Sequence, residues 1–287
     1  MALVEMGKYR LAVHAEAAEA VFREIQRFGF CEWILPEEEG GTPGFDSREL
    51  REIEDGLGDA KFVLRFMDPL ATQKPGGLDK ALGRSPELSL ELLEREAESR
   101  NFPKTAETIR GLERRLAEIR VEESRLKGIL SQLLPLEGLD MPLSMFNQGT
   151  SMVEGHLGTI GEEAFFAFSE ALQNRMGGSH EVFRLGSSGD GQVVCAVIVL
   201  RSQLQEFKAV AEDFGFSKME IPKDLAATPS QEVAKIRARL HQLEAEASSL
   251  VEEARKISDK AFADALVVSD HLSIVRSRKE VILRCSS

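Results

Sequence analysis

Long stretches of the chain place apolar residues at alternating spacings of three and four, the pattern of a helix with one continuous apolar face. The latest run is uninterrupted and predicts a helix over roughly residues 229–268. Two earlier runs, over residues 46–69 and after Pro103, predict helices that end near Pro69 and Pro135. The apolar positions of the late run are Val233, Ile236, Leu240, Leu243, Ala247, Leu250, Ala254, Ile257 and Ala261. The simplest packing lays the late helix antiparallel against the earlier ones.

A different pattern lies between these helical runs, where short β-prone segments alternate with amphipathic helical ones. The predicted elements are a strand at 151–160, a helix at 162–175, strands at 180–185 and 192–201, a helix at 202–214 with Ser202 as its N-cap, and a last strand after Gly215. The order β-α-β-β-α-β is that of the ferredoxin-like split β-α-β arrangement.

The tripeptide Phe-Gly-Phe occurs twice, at residues 28–30 and 214–216, each time between a helical pattern and a β-prone run. Glycine ends a helix at low cost because it readily adopts the left-handed conformation. The flanking phenylalanines are expected to anchor the helix end and the strand start in one core. Around the first copy, residues 9–36 predict strand, helix and strand, with YRLAVH and FCEWIL as the strands. This is half of the later set, so further strand or helix is expected to complete it.

Together these patterns predict an α+β dumbbell, in which two ferredoxin-like α/β lobes are joined by a long antiparallel, coiled-coil-like helical bundle. The expected limits are 1–45 for the first lobe, 46–148 for the outgoing helices, 149–224 for the second lobe and 225–287 for the return helix. Residues 271–287 lack clean alternation, which favours helix over strand at the end of the chain.

Composition narrows the function classes. The chain has 287 residues and a formal net charge of −12. Extended nucleic-acid binding needs a concentrated basic face, and Arg276, Arg278 and Lys279 form only a small basic cluster. The longest apolar run, residues 193–200, is too short to span a bilayer, which takes about 20 residues in a helix. No signal peptide is indicated, and we expect a soluble chain with packed cores.

No motif in the sequence indicates catalysis, a metal site or a cofactor site. Cys31, Cys195 and Cys285 are widely separated and lack CxxC spacing, which disfavours a disulfide framework or a zinc site. His180 and Cys195 could meet across a hairpin, but two ligands do not make a metal site. The GSSGDG run at 186–191 lacks the ending of a phosphate-binding loop and is interpreted as a hairpin turn. We therefore predict that the chain is not an enzyme.

One aromatic residue is a candidate for partner binding. Helical spacing places Phe165, Phe168 and Leu172 on one face, which is predicted to be core. Phe166 points about 100° away from Phe165. Two alternatives follow: an exposed ring that anchors a partner protein, or a ring buried against a neighbouring loop.

Three segments of the chain resemble a known family. KYRLAVHAEAAEAVFREIQRFGFCEWI, at 8–34, is similar to the opening strand-helix-strand of subunit I, the homologue of subunit a, of rotary V-type and A-type ATPases. VVCAVIVLRSQLQEFKAVAEDFGFSKMEIP, at 193–222, followed by a long heptad helix, resembles the second lobe and return helix of the same protein. GHLGTIGEE, at 155–163, suits the strand and turn that open that lobe.

The resemblance implies a non-catalytic stator arm at the cytoplasmic face of a membrane, in a rotary ATPase that translocates protons or sodium ions. Such an arm holds the peripheral-stalk E and G subunits and resists the torque of the rotor, and a central-stalk rotor-cap subunit is a further candidate partner. The family's ion path lies in a C-terminal membrane half. The resemblance therefore implies a soluble cytoplasmic portion that reaches the membrane sector through that missing half, and no ion-translocating residue is carried onto this sequence.

Two other functions remain as alternatives. A coiled-coil scaffold would be favoured by uninterrupted heptads in one parallel register, whereas the run after Pro103 is broken at Glu123. An ACT-like ligand-sensing module would be favoured by glycine-rich ligand turns, whereas the turn at 158–163 has acidic flanks that disfavour an anionic ligand.

Overall fold

The computed structural model describes residues 6–34, 47–72, 89–188 and 191–285. Its helices are α1 (Ala15–Phe28), α2 (Ser47–Met67), α3 (Leu90–Ser99), α4 (Phe102–Leu133), α5 (Ser144–Asn147), α6 (Glu162–Met176), α7 (Leu204–Asp213) and α8 (Pro229–Cys285). Its strands are β1 (Val153–Gly161), β2 (His180–Ser188), β3 (Gln192–Leu200) and β4 (Ser217–Lys218). The chain divides into two compact units: unit 1 comprises Met1–Arg115 and Ser249–Ser287, and unit 2 comprises Leu116–Ser248. Long helices and one antiparallel sheet confirm the α+β class.

Unit 1 is built on the predicted apolar helix faces. The face of α2 packs with the first turns of α4 and with residues 261–268 of α8. Ala60, Ala106 and Ala265 are fully buried at this junction, and their small side chains let the helix backbones approach closely. The core residues are Ala60, Val63, Met67, Ala71, Phe102, Ala106, Ile109, Ala261, Phe262, Ala265 and Val268.

A buried arginine joins three helices of unit 1. The side chain of Arg278, on α8, is only 2% exposed. Its guanidinium donates to the Gln26 amide oxygen at 3.1 Å and to the carboxylates of Glu19 at 3.1 Å and Glu94 at 3.3 Å. These partners lie on α1 and α3, so one side chain holds both helices to the end of α8.

The predicted strands beside α1 are wrong for the residues that the structure describes. Residues 6–14 and 29–34 contain no strand, and the described part of unit 1 is entirely helix and irregular chain. A strand is held by hydrogen bonds to a neighbouring strand. The described residues of unit 1 offer these two segments no such neighbour, so a first α/β lobe is not confirmed.

The first Phe-Gly-Phe copy ends a helix but does not enter a core. Gly29 has φ 69° and ends α1 in the left-handed conformation, as predicted. Phe28 and Phe30 are 68% and 95% exposed, so the predicted anchoring by both rings is wrong here. Phe22 is buried instead and stacks on Trp33, with 4.6 Å between ring centroids.

Unit 2 contains the predicted β-α-β-β-α-β order. The four strands form one antiparallel sheet in the order β2-β3-β1-β4. Leu157 of β1 pairs with Ala196 of β3, and Val182 of β2 pairs with Val197 of β3. Both faces of the central strand β3 are buried, which explains its continuous apolar sequence.

Three element boundaries in unit 2 differ from the prediction. Strand β2 continues to Ser188 because residues 186–188 pair with β3, so the turn is shorter than GSSGDG, and residues 189–190 lie outside the described chain. A 3-10 turn at Arg201–Gln203 precedes α7, so Gln203 and not Ser202 occupies the N-cap position. The last strand pairs over two residues only.

The second Phe-Gly-Phe copy is anchored in the core of unit 2. Gly215 has φ 67° and follows α7. The rings of Phe214 and Phe216 lie 6.1 and 5.8 Å from the ring of Phe168, which is fully buried on α6. The predicted role of the motif is therefore confirmed in this copy.

Helices α4 and α8 contribute an antiparallel pair to unit 2. Ser230 near the start of α8 donates to the carbonyl of Glu137, whereas Arg239 further along pairs with the earlier Glu122 at 2.9 Å. The partner residue number falls from 137 to 122 as the residue number on α8 rises from 230 to 239, so the two segments run antiparallel. Helix α8 runs to Cys285, which confirms helix over residues 271–285, and residues 286–287 lie outside the described chain.

Candidate partner-binding face

Helix α6 presents an aromatic ring to solvent. Phe166 is 77% exposed, whereas Phe168 and Leu172 on the opposite side are fully buried and Phe165 is partly buried. The predicted core face is therefore confirmed, and of the two alternatives for Phe166, burial against a loop is wrong. Partner binding by Phe166 remains a prediction.

Acidic side chains flank this ring. Glu163, Phe166, Ala167 and Glu170 are all exposed, and we call these four residues the outer face of α6. In the described parts of the chain, the carboxylates of Glu163 and Glu170 have neither a hydrogen-bond nor an ion-pair partner. The sequence could have predicted that these side chains share one side of the helix, because Glu163 lies three residues before Phe166 and Glu170 four residues after it.

The cationic side chain next to this face, that of Arg184, already has partners within the chain. Arg184, on β2, pairs with Glu162 at 2.6 Å and lies over the ring of Phe165 at 5.8 Å. It is thereby held between a carboxylate and an aromatic face, a favourable position for a guanidinium. The outer face of α6 therefore keeps its negative charge.

Helix α6, which carries this face, is packed against the core of unit 2. Its first turn contains Glu162 and Glu163, which interact favourably with the positive end of the helix dipole. Its buried residues are Phe168, Leu172 and Met176, and Gly177 ends it with φ 56°. Phe166 is consequently displayed from a packed helix and not from a loop.

A buried histidine lies beneath α7. His156, on β1, is 6% exposed, stacks on Phe207 at 4.5 Å and lies 3.7 Å from the Glu154 carboxylate. Burial lowers its pKa, against the opposing influence of Glu154. Glu154 also lies 3.5 Å from Arg201, so this pair is part of the packed sheet and its ion pairs.

The other residues considered for chemistry are kept apart. In the β2–β3 register His180 faces Val199 and Cys195 faces Arg184, so the suggested meeting of His180 and Cys195 is wrong. Burial raises the pKa of the Cys195 thiol to about 11, which keeps it protonated and unreactive at neutral pH. Over the described ranges, no group of three or more His, Cys, Asp or Glu side chains is placed to hold a metal ion.

We predict that acidification destabilises the chain through its histidines. Burial lowers the pKa values of His156, His180 and His271. The unfolded chain therefore takes up protons near the ordinary pKa of about 6.5 while the folded chain resists them, so stability present above that pH is lost below it. The melting temperature should fall between pH 7.5 and 5.5, and less steeply in the variant His156→Phe, which keeps the ring stack on Phe207. Parallel melting curves for the two proteins over this range would contradict the assignment to His156.

The described helices include none that is both long enough and apolar enough to cross a bilayer.

Comparisons with known proteins point in one direction. No protein-family model matches the chain. Over 168 residues, or 57% of its length, it is 26% identical to A-type ATP synthase subunit I of Methanocaldococcus jannaschii. Over this stretch the chain is similar in sequence to subunit I. The resemblance predicted from the sequence is thereby confirmed.

The fold of the chain is also similar to that of a solved domain. The cytoplasmic N-terminal domain of subunit I, the homolog of subunit a of V-ATPase, matches 94% of this chain and 86% of its own length, with a TM-score of 0.51 and 16% sequence identity. At that identity the match shows a shared fold alone. The sequence match to the archaeal subunit I covers 24% of that relative's length.

Proposed function

We propose that this chain is a non-catalytic stator arm of a rotary ATPase that translocates protons or sodium ions, at the cytoplasmic face of the membrane. The relation to A-type ATP synthase subunit I supports this proposal most directly. The arm would link peripheral stalks to the membrane sector through a further part of the protein. A stator arm has to bind its partners and needs no catalytic site. Helix-rich units with packed cores suit that role.

We place one docking site for the peripheral-stalk E and G subunits on unit 2, at the outer face of α6. The observation that carries this step is the exposure of Phe166, at 77%. Exposed aromatic rings on a rigid support are typical anchors at protein interfaces. A central-stalk rotor-cap subunit is a further candidate partner of the arm.

The dumbbell of two α/β lobes belongs to the same proposal. The fold shared with the subunit I domain supports it. In the first part of the chain, Tyr9 is 93% exposed and Phe30 is 95% exposed, as expected for a lobe that is completed by another protein segment. The limits 1–45, 46–148, 149–224 and 225–287 remain predictions.

We expect the purified chain to bind a co-expressed E–G heterodimer, and the variant Phe166→Asp to bind at least tenfold more weakly. An aspartate removes the apolar anchor and adds a third carboxylate to the outer face of α6. Size exclusion detects the complex and calorimetry measures its dissociation constant.

The matched control is Val121→Asp, since Val121 is 72% exposed on α4 in the same unit. It should bind like the parent chain. If the folded chain and the heterodimer do not associate at tens of micromolar, the stator proposal fails. If both variants lose affinity equally, the docking site is not on α6.

A further inference from the structure

We propose that the outer face of α6 receives a basic amphipathic helix, with an apolar stripe over Phe166 and Ala167 and with lysine or arginine side chains opposite Glu163 and Glu170. This inference deepens the proposed docking function and rests on it for the identity of the partner.

The spacing of the face fits a helix. Glu163, Phe166, Ala167 and Glu170 follow the i, i+3, i+4, i+7 pattern and occupy one side of α6. A large ring beside a small methyl group forms a ridge and a groove, into which the side chains of a second helix pack. Helix α6 has 15 residues, about 22 Å, which offers roughly four turns for such packing.

The charge of the face selects a basic occupant. The carboxylates of Glu163 and Glu170 have no ion-pair partner in the described chain, and Arg184 is held by Glu162. A lysine or arginine opposite each carboxylate would complete two ion pairs around an apolar centre.

The same charges disfavour the other occupants. Anionic lipid headgroups and nucleic-acid phosphates would be repelled by the unpaired carboxylates. A second copy of the chain would meet this face with its own in a two-fold dimer, which places carboxylate against carboxylate. A basic segment of another protein is the occupant that charge and apolarity both favour.

The test uses a fluorescein-labelled 18-residue peptide of leucine and lysine, patterned as an amphipathic helix, and a matched peptide of leucine and glutamate. Fluorescence anisotropy measures binding to the intact chain. We expect the lysine peptide to bind and the glutamate peptide not to bind. The variant Phe166→Ser should weaken binding about tenfold. The double variant Glu163→Lys, Glu170→Lys should weaken it to a similar extent and remove most of its salt dependence.

Two controls separate a specific face from general attraction to an acidic chain of net charge −12. Val121→Ser removes an exposed apolar side chain from α4, and Glu244→Lys reverses an exposed charge on α8, both within unit 2. Each should leave the affinity within about twofold of the parent chain. Equal affinities for all variants, or no binding of the lysine peptide, would overturn the inference.

The peptide and the E–G heterodimer give separable results. If the peptide binds as expected and the heterodimer does not bind, the stator proposal fails and the assigned chemistry of the face stands. If the heterodimer binds but neither it nor the peptide responds to the double variant, docking stands and the basic helix is wrong.

Discussion

Replacing Phe168 with alanine is expected to lower the free energy of unfolding of unit 2 by about 3–5 kcal/mol, the range for removing a buried aromatic ring. Phe168 is fully buried, and its ring lies 6.1 Å from that of Phe214 and 5.8 Å from that of Phe216. The substitution would leave a cavity where α6, the end of α7 and the start of β4 meet. Urea denaturation followed by circular dichroism, with hydrogen exchange on the β-strand amides, measures the loss.

The matched control lies two residues away on the same helix. Phe166→Ala removes an identical ring that is 77% exposed, and should change the free energy of unfolding by less than about 0.5 kcal/mol. Equal losses for the two variants would mean that α6 is rotated relative to the described packing. The pair therefore tests both the core of unit 2 and the exposure on which partner binding depends.

Much of unit 2 could be predicted from local sequence. Strand β3 is apolar at nearly every position because both of its faces are buried, and its run ends at the 3-10 turn that precedes α7. Helical spacing in α6 identified Phe168 and Leu172 as core. These elements were predictable because the pattern within each one agrees with its tertiary contacts.

The first Phe-Gly-Phe copy marks the limit of such prediction. Both copies end a helix at glycine, with φ 69° at Gly29 and 67° at Gly215. Their phenylalanines differ because the second copy has Phe168 and a paired strand beside it, while the described residues around the first copy supply neither. Strand formation depends on a partner distant in sequence, which a local motif does not encode.

The candidate site was predictable only in part. The helical period gives the direction in which Phe166 points. It does not show whether the ring is covered, because that contact would come from residues distant in sequence. Arg278 read as part of a small basic cluster, although its side chain is 2% exposed while that of Arg276 is 43% exposed.

Replacing Arg278 with methionine is expected to lower the free energy of unfolding of unit 1 by about 2–4 kcal/mol. The loss is large because the apolar side chain removes the cation that Glu19 and Glu94 share and leaves the Gln26 amide oxygen without its donor. Lys279 at 3.2 Å from Glu19 and Arg23 at 3.9 Å from Glu94 remain and limit the loss. These carboxylates are 38% and 22% exposed, so partial hydration keeps the loss below that of a fully buried pair. Hydrogen exchange on the amides of α1 and α3 measures it, together with the melting temperature.

Two further arginine variants decide whether the guanidinium itself matters. Arg276→Met, on the same helix, removes a half-exposed side chain paired with Glu280 and Glu54, and should change the free energy of unfolding by about 1 kcal/mol or less. Arg278→Lys keeps the charge but cannot reach three acceptors with a planar fork, and should recover only part of the loss. Full recovery by lysine would show that charge alone holds α1 and α3 to α8. An Arg278→Met protein as stable as the Arg276→Met protein would refute the buried cluster, because removing a desolvated cation with three acceptors costs more than removing a half-exposed one.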